Sequence, residues 1–201
     1  MGFDFDLTLA DSRISIFESL CAAAKSFSID ESFLRELPVG ELTLTQIAKK
    51  LNVQEIEEFS AYFKAYYSDV GYKSSFLPPN VIETLAFLSS QSIELVLISA
   101  KSIETLIPSV KHLALDKYFS KILSVSSSGD KTSFMKSLGL NAYIGDTQAD
   151  IDAANSVGVF SIYFNGINTK HVRDYSWRIS DFKELIPLIQ EAQKMPNFFE
   201  N

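Results

Sequence analysis

This chain of 201 residues has a single cysteine, two histidines, and only 18 basic side chains against 25 acidic ones. One cysteine excludes an internal disulfide. Cys21 lies in the apolar stretch Ile16-Phe17-Glu18-Ser19-Leu20-Cys21-Ala22-Ala23-Ala24, which reads as helix, so a small buried side chain is expected and not a reactive thiol. Neither His112 nor His171 has ligand-like company, and both default to structural or surface roles. The basic residues are scattered and the formal net charge is −7, which argues against a nucleic-acid or anionic-membrane surface. No stretch reaches the roughly 18 apolar residues of a membrane span, and nothing at the start resembles a charged segment followed by an apolar run. Met1-Gly2 would suit myristoylation, but Asp6 stands where Ser or Thr is needed. A soluble protein of a reducing cytoplasm is expected, monomeric or a weak homodimer. There is no internal repeat, and the only low-complexity stretch is Ser124 to Ser128.

What is present is enough apolar sequence, 46%, to bury a core. Four short segments rich in strand formers stand out: Gly2 to Phe5, Ile93 to Ile98, Ala142 to Ile144 and Val159 to Phe164. Ile122 to Val125 and Trp177 to Ile179 are weaker candidates. Strands alternating with helical patterns predict an α/β fold with a doubly wound parallel sheet. The alternation breaks between Ser12 and Phe76, where only helical signals occur. One of them, Phe59, Tyr62, Phe63, Tyr66 and Tyr67, is spaced as one helix face and is expected to be core. Residues 12–78 are therefore expected to form a helical insertion ending at Pro78-Pro79, and residues 1–11 with 79–201 the α/β domain.

Four pieces carry chemistry. In Phe3-Asp4-Phe5-Asp6-Leu7-Thr8-Leu9 an extended chain would put both acids on one side and the phenylalanines on the other, in the core. An EF-hand start is excluded, because Leu9 stands where that loop needs Gly and Ser15 where it needs Glu. In Tyr143-Ile144-Gly145-Asp146-Thr147-Gln148-Ala149-Asp150 a buried strand again runs into acids; Asp146 can ligate a hard cation and Asp150 support it from behind. A helix cap explains one such acid but not four over two strands. Ile98-Ser99 ends a third strand on a hydroxyl beside backbone amides, which suits an oxyanion. Lys131, in Ser128-Gly129-Asp130-Lys131-Thr132, opens another helix; Asp130 stands where a nucleotide-binding P-loop needs Gly.

Asp-x-Asp-x-Thr, a strand ending in Ser, a helix-opening Lys and Gly-Asp-Thr-x-x-Asp, in this order, resemble the four motifs of the haloacid dehalogenase-like superfamily, and the helical insertion resembles the small cap of its phosphoglycolate-phosphatase-like branch. The resemblance implies a Rossmann-like core and a Mg²⁺-dependent phosphatase acting on a small phosphorylated metabolite. It implies that Asp4 is the nucleophile and forms an aspartyl phosphate, that Asp6 is the acid and base, and that Ser99 and Lys131 hold the phosphoryl oxygens. Mg²⁺ would sit between Asp4, the Asp6 carbonyl and Asp146, with Asp150 behind.

Three features depart from the family pattern. Leu7 replaces a usual Gly, which is tolerable if φ there is negative. Lys131 lacks a following Pro, and only three residues precede Asp4, so the central strand is expected to lose pairing. A sugar-phosphate mutase is the nearest rival activity; Val39-Gly40-Glu41-Leu42-Thr43 has Thr where mutases carry Arg, which favours hydrolysis. The rival of another class is a non-catalytic interaction module, whose usual mark, a lost motif acid, is not seen.

Overall fold

Six short runs of β-branched, aromatic and aliphatic residues become parallel strands: β1 (Gly2–Phe3), β2 (Val96–Ser99), β3 (Lys121–Ser124), β4 (Ala142–Gly145), β5 (Phe160–Phe164) and β6 (Trp177–Ile179). Their order in the sheet is β3-β2-β1-β4-β5-β6. The computed structural model describes residues 1–37, 42–125, 130–167 and 171–195. It divides into two compact units, Met1–Asp11 with Leu77–Asn201, and Ser12–Phe76.

In the α/β unit the helices are α5 (Val81–Ser90), α6 (Ile103–His112), α7 (Lys131–Ser137), α8 (Gln148–Ser156) and α9 (Leu185–Lys194). The period-two alternation of the strands sorts them onto two faces. Phe3, Leu97, Ile144 and Ile162 join one buried cluster with Leu85 of α5, Leu106 of α6 and Leu188 of α9. Val96, Ile98 and Tyr143 join another with Met135 of α7 and Ala154 of α8. Both faces are thus covered, as an all-parallel sheet requires. Sheet order reverses between β1 and β4, which leaves a crevice beyond the C-terminal ends of these strands, the usual ligand position in such sheets.

Gly2 is what lets β1 sit between β2 and β4. A Cβ there would lie 2.6 Å from Leu140 Cδ1 and from Tyr143 Cδ2. With only hydrogen at that position, Tyr143 reaches across β1 and donates its hydroxyl to the Ile98 carbonyl of β2 at 2.8 Å. The central strand keeps more pairing than its length suggests, since Val96 N donates to Met1 O at 3.0 Å and Asp4 N to Ile144 O at 2.8 Å.

Two expectations about the first motif are corrected. The extended chain does not continue through Asp6. It turns back on itself, with Ala10 N donating to Phe5 O at 3.0 Å and Leu7 N to Ala10 O at 2.8 Å. Nor is φ negative at Leu7: it is +59°. A left-handed Leu costs roughly 1–2 kcal/mol. Leu7 is only 7% exposed, and burying a leucine side chain is worth about 1.5–3 kcal/mol, enough to offset that cost.

The second unit consists of α1 (Arg13–Ser26), α2 (Ser32–Arg35), α3 (Leu44–Lys50), α4 (Ile56–Asp69) and a 3₁₀ turn at Gly71–Ser74. Its core gathers Leu20, Ala23 and Ala24 of α1, Leu34 of α2, Ile47 and Ala48 of α3, Val53 and Phe59. Cys21 is half-buried at its margin, less enclosed than expected. The aromatic stripe of α4 is core only along its centre line. Phe59 and Tyr67 are fully buried, whereas Tyr62 is 45% exposed, because the steps of three rotate Tyr62 and Tyr66 to the flank of the i, i+4, i+8 row. Thr43 caps α3 in a capping box with Gln46, a structural use of that hydroxyl. The preceding Val39, Gly40 and Glu41 lie outside the described residues. Among the described residues no helix is long and apolar enough to cross a membrane.

Candidate active site

Each motif ends a strand at the C-terminal edge of the sheet. β1 delivers Asp4, β2 Ser99, and β4 Asp146; Lys131 is the first residue of α7 and Asp150 lies in the first turn of α8. Asp130 fixes the start of α7, its carboxylate accepting from Thr132 N at 2.8 Å. Thr147, not Asp146, caps α8, in a capping box with Asp150.

Asp4, Asp146 and Asp150 are all buried and present carboxylate oxygens within 4.8 Å of one another. Lys131 Nζ donates to Asp4 Oδ1 at 2.7 Å and to Asp150 Oδ1 at 2.5 Å. The second Asp150 oxygen accepts from Thr147 N at 3.1 Å and Thr147 Oγ1 at 2.5 Å. Asp150 is therefore held from both ends and serves as the orienting partner of Lys131. Its closeness to the strand also explains Gly145, where any Cβ would collide with Asp150 Cβ and Cγ. Below, the Lys131 ammonium stands 5.5 Å from the centroid of Tyr143, a cation–π contact.

The electrostatics follow from burial and crowding. Burial pushes the Asp4 carboxyl up to about 8; Lys131 pulls it back, and the neighbouring Asp150 and Asp146 charges push it further up. Burial pulls the Lys131 ammonium down, but Asp4, Tyr143 and Asp150 outweigh it and hold it well above the usual lysine range. With all three acids ionised, three carboxylates against one ammonium would leave two negative charges, which a divalent cation would neutralise. Opposite oxygens of an octahedral Mg²⁺ lie about 4.2 Å apart, twice a bond of roughly 2.1 Å. Carboxylate oxygens within 4.8 Å of one another are close enough to share a hard divalent ion.

With that geometry in place, a family model described as haloacid dehalogenase-like hydrolase matches residues 2–164. The chain belongs to the haloacid dehalogenase-like hydrolase family, in its phosphoglycolate-phosphatase-related branch. The phosphoglycolate phosphatase of Shigella boydii is 28% identical over 120 residues, covering 54% of this chain and 48% of that protein, so the chain spans about half the length of such relatives. That of Mannheimia succiniciproducens is 26% identical over 221 residues, with 94% of this chain and 97% of that protein covered. A haloacid dehalogenase-like hydrolase from Streptococcus pneumoniae superposes with a TM-score of 0.79 at 22% identity, over 94% of this chain and 97% of that one. At that identity the likeness speaks for the fold.

The remaining two residues singled out from the sequence are Ser99 and Asp6. Ser99 is 2% exposed and its hydroxyl accepts from Lys101 N at 3.2 Å. Asp6 does not join the three clustered acids; both its oxygens accept from Lys101 Nζ, at 3.2 and 3.3 Å. Sequence reasoning missed Lys101. Its signal was present, a cation two residues beyond the serine that ends β2, but only the turn at Asp6 brings the two side chains together.

Proposed function

We propose that this family member hydrolyses a small phosphomonoester with Mg²⁺, Asp4 being the nucleophile. The observation that carries the reading is the buried group Asp4, Asp146 and Asp150 with Lys131 bonded to two of its acids, at the crevice where the sheet order reverses. Phosphoryl transfer asks for positioning and charge neutralisation more than for elaborate covalent machinery, and this group supplies both. Asp4 and Asp146, with the Asp6 carbonyl, would hold Mg²⁺, and Asp150 stands behind them. Bound there, Mg²⁺ would neutralise charge on the phosphoryl oxygens and keep Asp4 ionised.

In the first half-reaction an Asp4 carboxylate oxygen bonds to phosphorus as the ester P–O bond breaks, and Asp6 gives its proton to the departing oxygen. In the second, Asp6 takes a proton from water as that water attacks the aspartyl phosphate, releasing inorganic phosphate and Asp4. Lys131 and the Ser99 hydroxyl hold the phosphoryl oxygens. We assign residues 12–78 the role of a cap that admits small soluble substrates. Hydrolysis is favoured over mutase chemistry because no second phosphate-binding arginine follows Gly40, and over a non-catalytic role because every motif acid is retained.

The test is release of phosphate from a panel of small phosphomonoesters by the purified chain, with Mg²⁺ and with excess chelator. Activity should need the metal, and Asp4→Asn should lose on the order of 10⁴-fold or more in kcat while keeping the native circular dichroism. Undiminished turnover in Asp4→Asn or in chelator refutes the mechanism.

A further inference from the structure

Outside the acid cluster, Lys101 and Asp6 form a largely enclosed charged contact. The Lys101 side chain is 7% exposed and that of Asp6 26%. Burying an ammonium is costly unless it is paired, so a lysine in this position is held there by what it contacts. Its backbone is fixed on both sides. Lys101 N donates to Ser99 Oγ at 3.2 Å, and Lys101 O accepts from Ser124 Oγ at 2.7 Å. Val125 N, donating to Ser99 O at 2.9 Å, ties the same loop to the end of β3. The two contacts from Nζ to Asp6 Oδ1 and Oδ2 are nearly equal, so the ammonium straddles the carboxylate and constrains its plane.

We infer that Lys101 is a positioning residue: it holds the Asp6 carboxyl group on the β2 side of the crevice, out of the Asp4–Asp146–Asp150 cluster, so that Asp6 exchanges protons with the leaving oxygen and with water and does not become a further metal ligand. The inference rests on the phosphatase reading above. A carboxylate two residues beyond Asp4, on a chain that turns sharply, has no regular strand to orient it. Left alone it would be drawn to any cation bound by its three neighbours. The loop carrying Lys101 is tied to the ends of β2 and β3, and the same Ser99 assigned to the phosphoryl oxygens anchors it. Orientation of the acid is thereby tied to the phosphate seat.

The experiment compares wild type, Lys101→Met, Lys101→Arg, Asp6→Asn and the double variant Lys101→Met/Asp6→Asn in Mg²⁺, on p-nitrophenyl phosphate and on an alkyl phosphate. An alkoxide needs its proton during departure far more than p-nitrophenolate does. Misplacing the acid should therefore lower kcat/KM, which reports the first half-reaction alone, on the order of 10²-fold on the alkyl ester and much less on p-nitrophenyl phosphate. In the Asp6→Asn background Lys101→Met should have no further effect, and Lys101→Arg, whose fork can also hold both oxygens, should recover part of the loss. A melting temperature for each variant separates loss of fold from loss of positioning, and Lys101→Gln, which keeps a donor, replaces Lys101→Met if the latter does not fold. Wild-type kinetics in Lys101→Met, an equal loss of kcat/KM on both esters, or a full additional loss in the Asp6→Asn background overturns the inference while leaving the phosphatase reading standing. Absence of Mg²⁺-dependent activity in the wild-type chain sinks both.

Discussion

Two lysines pair with two aspartates of one motif, and they do so in different surroundings. Lys131 bridges Asp4 and Asp150, whose side chains are 9% and 2% exposed, beside a third buried acid. Lys101 pairs with Asp6, which is 26% exposed, at the edge of the same crevice. The first pair sits in a crowded pocket where every charge is expensive and a cation is wanted. The second sits where water can reach. Two acids separated by one residue thus lie in different environments, one crowded and buried, the other at the rim.

Removing each lysine is the strongest way to break the comparison. Lys131→Met leaves Asp4 and Asp150 crowded without their cation and should cost about 3 kcal/mol of metal-free stability. Lys101→Met, opposite a partly solvated carboxylate, should cost about 1 kcal/mol. Urea midpoints in chelator measure both, and equal losses would show that the two sites do not differ in burial energetics.

A pH series sharpens the contrast. The folded-state pKa of Asp4, raised from 3.8 to about 8, means that the unfolded chain sheds this proton in a window where the folded chain keeps it. Metal-free stability contributed by this group is thus full below about pH 4 and lost as pH rises towards 8. Mg²⁺ competes with that proton, so its stabilisation, up to about 3 kcal/mol at a hundred times Kd, should grow from pH 5 to pH 8. Thermal melts with Mg²⁺ and with chelator would reveal it; a shift of equal size at all pH values would mean that Asp4 is not at the metal site.

Gly145→Ala should disturb the Lys131 side alone. Its Cβ meets Asp150, so a loss of about 2 kcal/mol is expected, with a raised Mg²⁺ requirement and an intact Lys101–Asp6 pair. A stability unchanged from wild type would contradict the close approach. Leu7→Gly should have the smallest effect, within about 1 kcal/mol, since relief of the left-handed backbone and loss of a buried side chain oppose each other. A denaturant midpoint moved far in either direction would show that one of the two terms dominates.

Much of the α/β unit was legible because its signals are local. The apolar runs of β2, β4 and β5 needed only period and length, and even the weak runs at 121–124 and 177–179 became strands because neighbours were present to pair them. The helical character of residues 12–76 was equally plain, although which aromatics of α4 face inward was not, since five residues within nine cover more of a helix than one neighbour can bury. Asp4, Asp146, Asp150 and Lys131 were marked by residue type and by their places at strand and helix ends.

The alternation of strands and helices, the helical insertion, and the four places where polar groups stop apolar strands are each a matter of neighbours in the chain, and so could be read along it. That Asp4 and Asp6 part company, that Leu7 takes a positive φ, and that Lys101 reaches Asp6 came about through folding. Those outcomes depend on contacts between residues up to 95 positions apart, where packing and burial outweigh local preference.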